Sequence, residues 1–255
     1  MEHVIERLQA AGLENARFEA AQLAAALQGE ALTRAVVRRC EGYPLQYLIG
    51  EWDFYRQTYE VCEDCLIPRA DTELLVEKAI AHLPPNGRFL DLCTGSGCIA
   101  ISTLCERPDL QGAAVDLFPR TLALAGRNAE RNGVTERLAL HLASVLELPP
   151  PPLAAARFDA ILSNPPYIRN DVVPTLQKEV QFEPQAALCG GTDGLDFYRA
   201  ILSMWSALLK PNGFILFEIG YDQARALQAL AAEHRFSCTV FRDLGGNDRV
   251  VLLRR

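Results

Sequence analysis

The sequence contains no apolar run approaching the roughly twenty residues that a bilayer crossing needs, so no membrane-spanning role is expected. No secretory leader is expected either. The opening stretch MEHVIERLQAAGL carries too many charges for one, and a cytoplasmic protein is expected. A surplus of positive charge is missing too. The 25 Lys and Arg residues stand against 32 Asp and Glu, for a net charge of −7. Faces that grip duplexes neutralise many phosphates at once, so a broad nucleic-acid surface is disfavoured and no direct nucleic-acid partner is expected. Zinc sites usually need a second Cys pair, and none follows Cys62-x-x-Cys65 at such spacing, so no metal is expected. The other cysteines, among them Cys93, Cys98, Cys105, Cys189 and Cys238, sit mostly in apolar runs and read as reduced, mostly buried thiols. There are no internal repeats. What is present is a chain of 255 residues, 49% apolar with both charge signs well represented, which argues against bulk disorder.

Residues 1–50 read as short helices. Val4, Ile5 and Leu8, then Ala20, Leu23, Ala24 and Leu27, recur at three- and four-residue intervals. Leu32, Val36 and Val37 mark another helix, interrupted at Gly42-Tyr43-Pro44. Residues 51–67 hold Trp52, Phe54, Tyr55, Tyr59 and Val61, the composition of two short strands or a hairpin. Asp71 is placed to cap a helix with Leu75, Ala79 and Leu83 on one side. From Arg88 onward strands and helices alternate. Strands are expected at Phe89–Cys93, Ala113–Leu117, Leu138–Leu142, Phe158–Ser163 and Phe214–Ile219, and helices at Ile99–Arg107, Arg120–Asn132, Leu195–Leu209 and Asp222–Glu233. Pro149–Pro152 reads as a stiff surface connection. Alternation of this kind predicts a doubly wound, mostly parallel α/β sheet covered on both faces. Cys238–Arg242 and Arg249–Leu253 lie too close for a crossover and should form an antiparallel hairpin, bringing the sheet to seven strands. The expected division is a helical domain at 1–50, a hairpin and linker helix at 51–84, and the sheet domain at 85–255.

The segment Phe89-Leu90-Asp91-Leu92-Cys93-Thr94-Gly95-Ser96-Gly97-Cys98-Ile99-Ala100 is a buried strand turning through glycines into a helix. Gly95 and Gly97 let backbone approach a ligand closely. Asp116, nineteen residues after Gly97, is placed to accept both hydroxyls of a ribose. This pattern fits a nicotinamide dinucleotide as well as S-adenosylmethionine. Asp91 favours the latter, because a carboxylate would repel a pyrophosphate but meets the cationic amino-acid end of the sulfonium cofactor.

Phe158–Ser163 then runs into Asn164-Pro165-Pro166-Tyr167-Ile168. As the fourth strand of such a sheet it should lie beside the first, with Asn164 at the carboxyl edge near the glycine loop. A planar NH2 nitrogen has two hydrogens and a lone pair delocalised into its π system. To attack a methyl sulfonium it needs two hydrogen-bond acceptors and a fixed line of approach. Asn164 offers a side-chain carbonyl and Pro165 a backbone carbonyl, Pro166 stiffens the turn, and Tyr167 can stack on the planar group.

With these motifs the sequence resembles the bacterial protein-(glutamine-N5) methyltransferases that act on peptide chain release factors, over most of its length. Gly42-Tyr43-Pro44-Leu45-Gln46-Tyr47-Leu48-Ile49-Gly50, Leu66-Ile67-Pro68-Arg69-Ala70-Asp71-Thr72-Glu73, Asp91–Gly97 and Asn164–Ile168 carry the likeness. So do Glu183-Pro184 with Ala187-Leu188, Gly190-Gly191 with Asp193-Gly194-Leu195, Glu218-Ile219-Gly220, and Gly246-Asn247-Asp248-Arg249-Val250. The resemblance implies a class I methyltransferase fold with S-adenosylmethionine as cofactor. It also implies, as substrate, the glutamine of the Gly-Gly-Gln loop in release factors 1 and 2, gripped in part by residues 1–50. Cofactor contacts would fall to Asp91, Cys93, Thr94, Gly95, Gly97, Asp116, Leu117, Ser144, Val145 and Asn164. Substrate contacts would fall to Asn164, Pro165, Pro166, Tyr167, Arg69 and Glu183, with Asn164, Pro165 and Tyr167 catalytic. Arg69 would organise the substrate channel or stabilise a hinge through an ion pair, and Glu183 would order a loop or the channel.

Three departures stand out: an N-terminal part about one helix short, Ala70 in place of proline, and Ala143-Ser144 where the family carries Gly-Asp. Cys93 also replaces the commoner glycine and is expected to be a packed residue rather than a nucleophile. The Asn-Pro-Pro-Tyr motif alone is shared with N6-adenine DNA and N2-guanine RNA methyltransferases. A non-catalytic binding module on a relic cofactor fold is the alternative of another class.

Overall fold

In the computed structural model, which describes all 255 residues, four helices open the chain: α1 (Glu2–Ala10), α2 (Ala16–Ala26), α3 (Gly29–Cys40) and α4 (Leu45–Ile49). Their apolar stripes meet in a small core of Leu8, Ala16, Ala20, Leu23, Ala35, Val36 and Leu45. Val37, expected on the inner face, is instead exposed, one residue round the helix from Val36. A hairpin follows, β1 (Glu51–Phe54) and β2 (Gln57–Glu60), antiparallel with Trp52 opposite Tyr59.

Asp71 does not cap the next helix. It lies in a 3-10 turn (Ala70–Thr72) and pairs with Arg249 at 3.2 Å, while α5 (Glu73–His82) begins without a side-chain cap. A tertiary ion pair has taken the carboxylate that local pattern assigned to the helix end. Leu75, Ala79 and Leu83 are buried as expected.

The remaining elements are β3 (Arg88–Leu92), α6 (Cys98–Glu106), β4 (Gln111–Asp116), α7 (Pro119–Arg131), β5 (Leu138–Leu142), the one-turn α8 (Pro151–Ala154), β6 (Phe158–Ser163), α9 (Asp196–Ala200), β7 (Leu209–Glu218), α10 (Ala224–Glu233), β8 (Ser237–Arg242) and β9 (Asp248–Arg254). The strands form one sheet in the order β5-β4-β3-β6-β7-β9-β8. β9 is inserted between β7 and β8 and is antiparallel to both. The tail is thus the expected hairpin, and one strand alone runs against the rest. Successive side chains of the central strands are buried on alternate faces. Leu90, Ile215 and Phe217 feed a core on one face, Phe89, Phe214 and Leu216 a core on the other, so both faces are covered. No helix is long and apolar enough to cross a membrane.

Several local expectations fail for physical reasons. The helix expected over Leu195–Leu209 breaks into α9, a π turn at Ile201–Trp205 and a 3-10 turn at Ser206–Leu208. The buried Trp205 indole there donates to the carbonyls of Val145 (2.9 Å) and Glu147 (3.0 Å), a partnership that a buried N–H demands. Pro151 and Pro152 start a helical turn, a position where the missing N–H costs nothing. All eight cysteines are free, but only Cys65 and Cys98 are fully buried. Cys105 ends a helix, Cys238 lies on the edge strand, and Cys93 and Cys189 line a cavity, so each stays partly open.

Candidate active site

β6 pairs in parallel with β3, and the chain turns to opposite sides of the sheet from these two neighbours. A doubly wound sheet opens a crevice at the carboxyl ends of such a pair. Here the crevice is a cavity of about 400 Å³, within the range of small-molecule sites.

One wall is the glycine turn between β3 and α6. Cys93, Gly95 and Gly97 all take left-handed backbone conformations, with φ of 60°, 56° and 82°. A side chain on Gly97 would meet Ile101 Cδ1 at 2.8 Å, so that glycine serves close helix packing, and it does not line the cavity. Cys93 does line it, and burial pushes its thiol well above the ordinary value, which leaves it protonated and a poor nucleophile. The left-handed backbone at Cys93 is unfavourable for any residue with a Cβ. Cys93→Gly and Cys93→Ala both delete the sulfur. The glycine variant is expected to be the more stable of the two by about 1 kcal/mol in urea denaturation, and equal stabilities would show that the turn carries no such strain.

Asp116, at the end of β4, lines the cavity and accepts the Gly95 N–H (3.0 Å) and the Phe118 N–H (3.1 Å). Burial raises its pKa, and these backbone bonds oppose the rise. Leu117, Ser144 and Val145 line the same region, Ser144 accepting the Leu146 N–H at 3.2 Å. Asp91 lies beneath the turn, fully buried. Its Oδ2 accepts the Thr94 hydroxyl at 2.6 Å, whereas Oδ1 has no partner. Burial pushes this carboxyl up to about 7. Asp91 does not itself line the cavity, so its half-satisfied carboxylate suits a ligand with a cationic end met through water. Asp116 at the next strand suits a ribose diol. These residues therefore fit S-adenosylmethionine.

The opposite wall is the segment after β6. Asn164 and Pro166 line the cavity, while Pro165 and Tyr167 do not. Asn164 Nδ2 donates to Thr72 Oγ1 at 3.2 Å, and its Oδ1 has no partner within the chain. Tyr167 turns its hydroxyl to Glu218 Oε1 at 3.3 Å, and its ring packs against the core. The backbone here is clamped from behind. Ile168 bridges Cys189, and Gln223 Nε2 donates to the carbonyls of Tyr167 (3.0 Å) and Gly194 (3.2 Å). A Cβ on Gly190 would lie 2.7 Å from Tyr167 Cα, and one on Gly194 2.3 Å from Tyr167 O. The glycine-rich segment at 190–194 is thus the bed on which the Asn-Pro-Pro-Tyr turn rests.

Arg69 lines the cavity, and Glu183 lies just outside it. The buried Glu183 carboxylate accepts the Ile67 N–H at 3.0 Å and is paired with Arg69, so both readings of Arg69 meet in one contact. Thr72 also lines the cavity and was not singled out from the sequence. Its position in Leu66–Glu73 was the available signal.

A mixed seven-stranded sheet with this crevice defines the class I methyltransferases, the enzymes that use S-adenosylmethionine. Among solved structures the chain resembles a methyltransferase from Pyrococcus furiosus (TM-score 0.57, 18% identity, covering 77% of this chain and 87% of that one). It also resembles a ribosomal protein L11 methylase from Lactobacillus delbrueckii subsp. bulgaricus (TM-score 0.53, 19% identity, 80% and 91%). At such identities these show the fold alone. Residues 70–186 match the model of the methyltransferase small domain. The release factor glutamine methyltransferase of Geobacter sulfurreducens is 39% identical over 261 residues, covering 94% of this chain and 90% of the relative. That of Cereibacter sphaeroides is 40% identical over 271 residues, covering 98% and 95%. The chain belongs to the release factor glutamine methyltransferases.

Proposed function

We propose that the chain transfers a methyl group from S-adenosylmethionine to the side-chain amide nitrogen (N5) of the glutamine in the Gly-Gly-Gln motif of release factors 1 and 2, in the cytoplasm. The carrying observation is the Asn164–Pro165 corner. Asn164 lines the cavity with Oδ1 unengaged, and the adjoining carbonyl of Pro165, a residue that does not itself line the cavity, also has no partner within the chain. When bound, S-adenosylmethionine supplies an electrophilic methyl group on a sulfonium.

Everything else asked of the protein is placement. Asn164 and Pro165 accept one hydrogen each from the glutamine amide, which returns electron density to the nitrogen and fixes its direction. Tyr167, tied to Glu218, braces the turn that carries both acceptors, and Pro166 stiffens it. The alkylated nitrogen is acidic enough to lose its proton to water or to these acceptors. Asp116 meets the cofactor's ribose and Asp91 its ammonium group through water, while Cys93, Thr94, Gly95, Leu117, Ser144 and Val145 shape the remainder and Gly97 packs the turn against α6. Arg69 and Glu183 order the channel wall. Residues 1–50 grip the release factor, 51–84 connect, and 85–255 hold the cofactor.

Ser144 stands where relatives tend to carry an acid that reaches the adenine amino group. Ser144→Asp would replace a neutral acceptor with a charged one and is expected to tighten cofactor binding by about 1 kcal/mol, roughly fivefold in Kd by calorimetry. Unchanged or weaker binding would remove Ser144 from the adenine site.

The function itself is tested by incubating the protein with labelled cofactor and, separately, release factor, DNA and ribosomal RNA, then locating the label by mass. The expected product is a single methylated glutamine in the release factor. Label on a nucleic acid alone, or on nothing, rejects the reading.

A further inference from the structure

Asn164 can act as an acceptor only if its amide presents oxygen, not nitrogen, to the cavity. Nothing in the tetrapeptide itself decides that orientation. The deciding contact comes from another element, 92 residues earlier in the chain: Thr72 Oγ1 accepts from Asn164 Nδ2 at 3.2 Å. Thr72 is 2% exposed, so water does not compete for its hydroxyl. Glu218 ends β7, the strand next to β6, and is 1% exposed. One of its oxygens accepts the Tyr167 hydroxyl, and the other, Oε2, is buried without a close partner. The Thr72 hydroxyl thus holds Asn164, and the buried Glu218 carboxylate holds Tyr167, at the two ends of the Asn-Pro-Pro-Tyr turn.

We propose that Thr72 and Glu218 are positioning residues for methyl transfer: Thr72 Oγ1 accepts from Asn164 Nδ2, so that Asn164 Oδ1 is turned to the substrate amide, and Glu218 accepts the Tyr167 hydroxyl and so fixes the turn that carries Asn164. This rests on the role given above to Asn164. If Thr72 pointed its proton at Asn164 instead, the amide would flip and present two donors to a substrate nitrogen that also carries two. The device thus works through the direction of hydrogen bonds and not through contact with the substrate.

The charge on Glu218 matters to this arrangement, because a protonated carboxyl is a weaker acceptor. Burial raises its pKa to about 7, opposed by Thr72, Arg249 and Tyr167, while Asp71 adds to the rise. Those groups come from the turn before α5, from β9 and from the segment after β6, and Tyr198 of α9 donates to the Glu218 backbone carbonyl at 2.8 Å. Asp91 titrates in the same range, so the rate must be followed at saturating cofactor.

The test uses the full chain with S-adenosylmethionine and a release factor. Thr72→Val keeps the shape and removes the hydroxyl. It is expected to lower kcat at least tenfold, with KM for the release factor and Kd for the cofactor within about threefold of the parent. Thr72→Ser should restore kcat to within about threefold. The parent's kcat should fall as pH drops below about 7, and Glu218→Gln should flatten that limb. An independent readout is the side-chain NH2 signal of Asn164 in 15N spectra, assigned by its loss in Asn164→Ala. It should shift in Thr72→Val without substrate present. A parent-like kcat in Thr72→Val, a loss that serine does not rescue, or an unmoved Asn164 signal would each overturn the proposal. If instead the parent protein fails to methylate any release factor, the proposed function fails, and the Asn164 signal still decides the orientation.

Discussion

Asn164→Ala is expected to lower kcat for methyl transfer by about a hundredfold or more while changing cofactor Kd by less than about twofold. The size follows from what is removed. A fixed polar group aimed at the reacting centre typically contributes 10²–10³ in rate, because it stands ready in a water-poor site and needs no reorganisation. Asn164 is such a group: its amide is half-buried, held at Nδ2 by Thr72, and free at Oδ1. The alanine variant leaves the Pro165 carbonyl as the one remaining acceptor. The substrate amide can then rotate about that single bond, and its lone pair loses the fixed line to the methyl carbon. Cofactor affinity should survive, since Asp91 and Asp116 belong to other strands and keep their own partners at Thr94 and Gly95. Single-turnover kinetics and calorimetry separate the two quantities. A large loss of cofactor affinity with unchanged turnover would assign Asn164 to cofactor binding instead.

What could be read from the sequence was what lies contiguous in it. Gly95, Asp116 and Asn164 each sit at the end of a buried strand, and strand ends converge at one edge of a parallel sheet. Correct strands therefore bring these residues to one edge of the sheet. The order β3 beside β6 followed from the same logic. What was not legible depends on contacts between distant segments. Asp71 satisfied a local capping pattern, yet Arg249 from β9 holds it. The π turn at Ile201–Trp205 exists alongside an indole that reaches the carbonyls of Val145 and Glu147 some sixty residues earlier, which no helical periodicity encodes. Gly190 and Gly194 were visible as part of a motif, but their reason was not. Each faces Tyr167 backbone too closely to tolerate a Cβ. Thr72 is the same case at the site itself: its place in Leu66–Glu73 was noted, and its grip on Asn164 required the fold.

Arg39→Ala should destabilise the protein by about 3–5 kcal/mol. Arg39 is 5% exposed and joins three segments. Its Nε and Nη2 bond the Glu19 carboxylate at 2.5 and 3.0 Å, Nη2 also bonds Glu179 at 2.7 Å, and Nη1 reaches the Tyr43 carbonyl at 3.4 Å. Removing the guanidinium strands the Glu19 side chain, only 11% exposed, as a buried charge without a partner. Glu179, at 37%, can turn to water. Most of the cost therefore sits on Glu19, and the combined Arg39→Met, Glu19→Leu variant is expected to recover most of the lost stability in urea denaturation. Arg39→Lys should recover little, because a single ammonium cannot span the fork between two carboxylates. The functional consequence runs through the chain itself. Glu179 and Glu183 flank the Val180–Phe182 turn, one held by Arg39 of α3 and the other by Arg69 at the cavity wall. The segment is pinned at both ends, to the helices at one and to the site at the other. Loss of the Arg39 pin should raise KM for the release factor by tenfold or so and leave cofactor Kd unchanged. An Arg39→Ala protein less than about 1 kcal/mol weaker than its parent would mean that water already reaches these carboxylates.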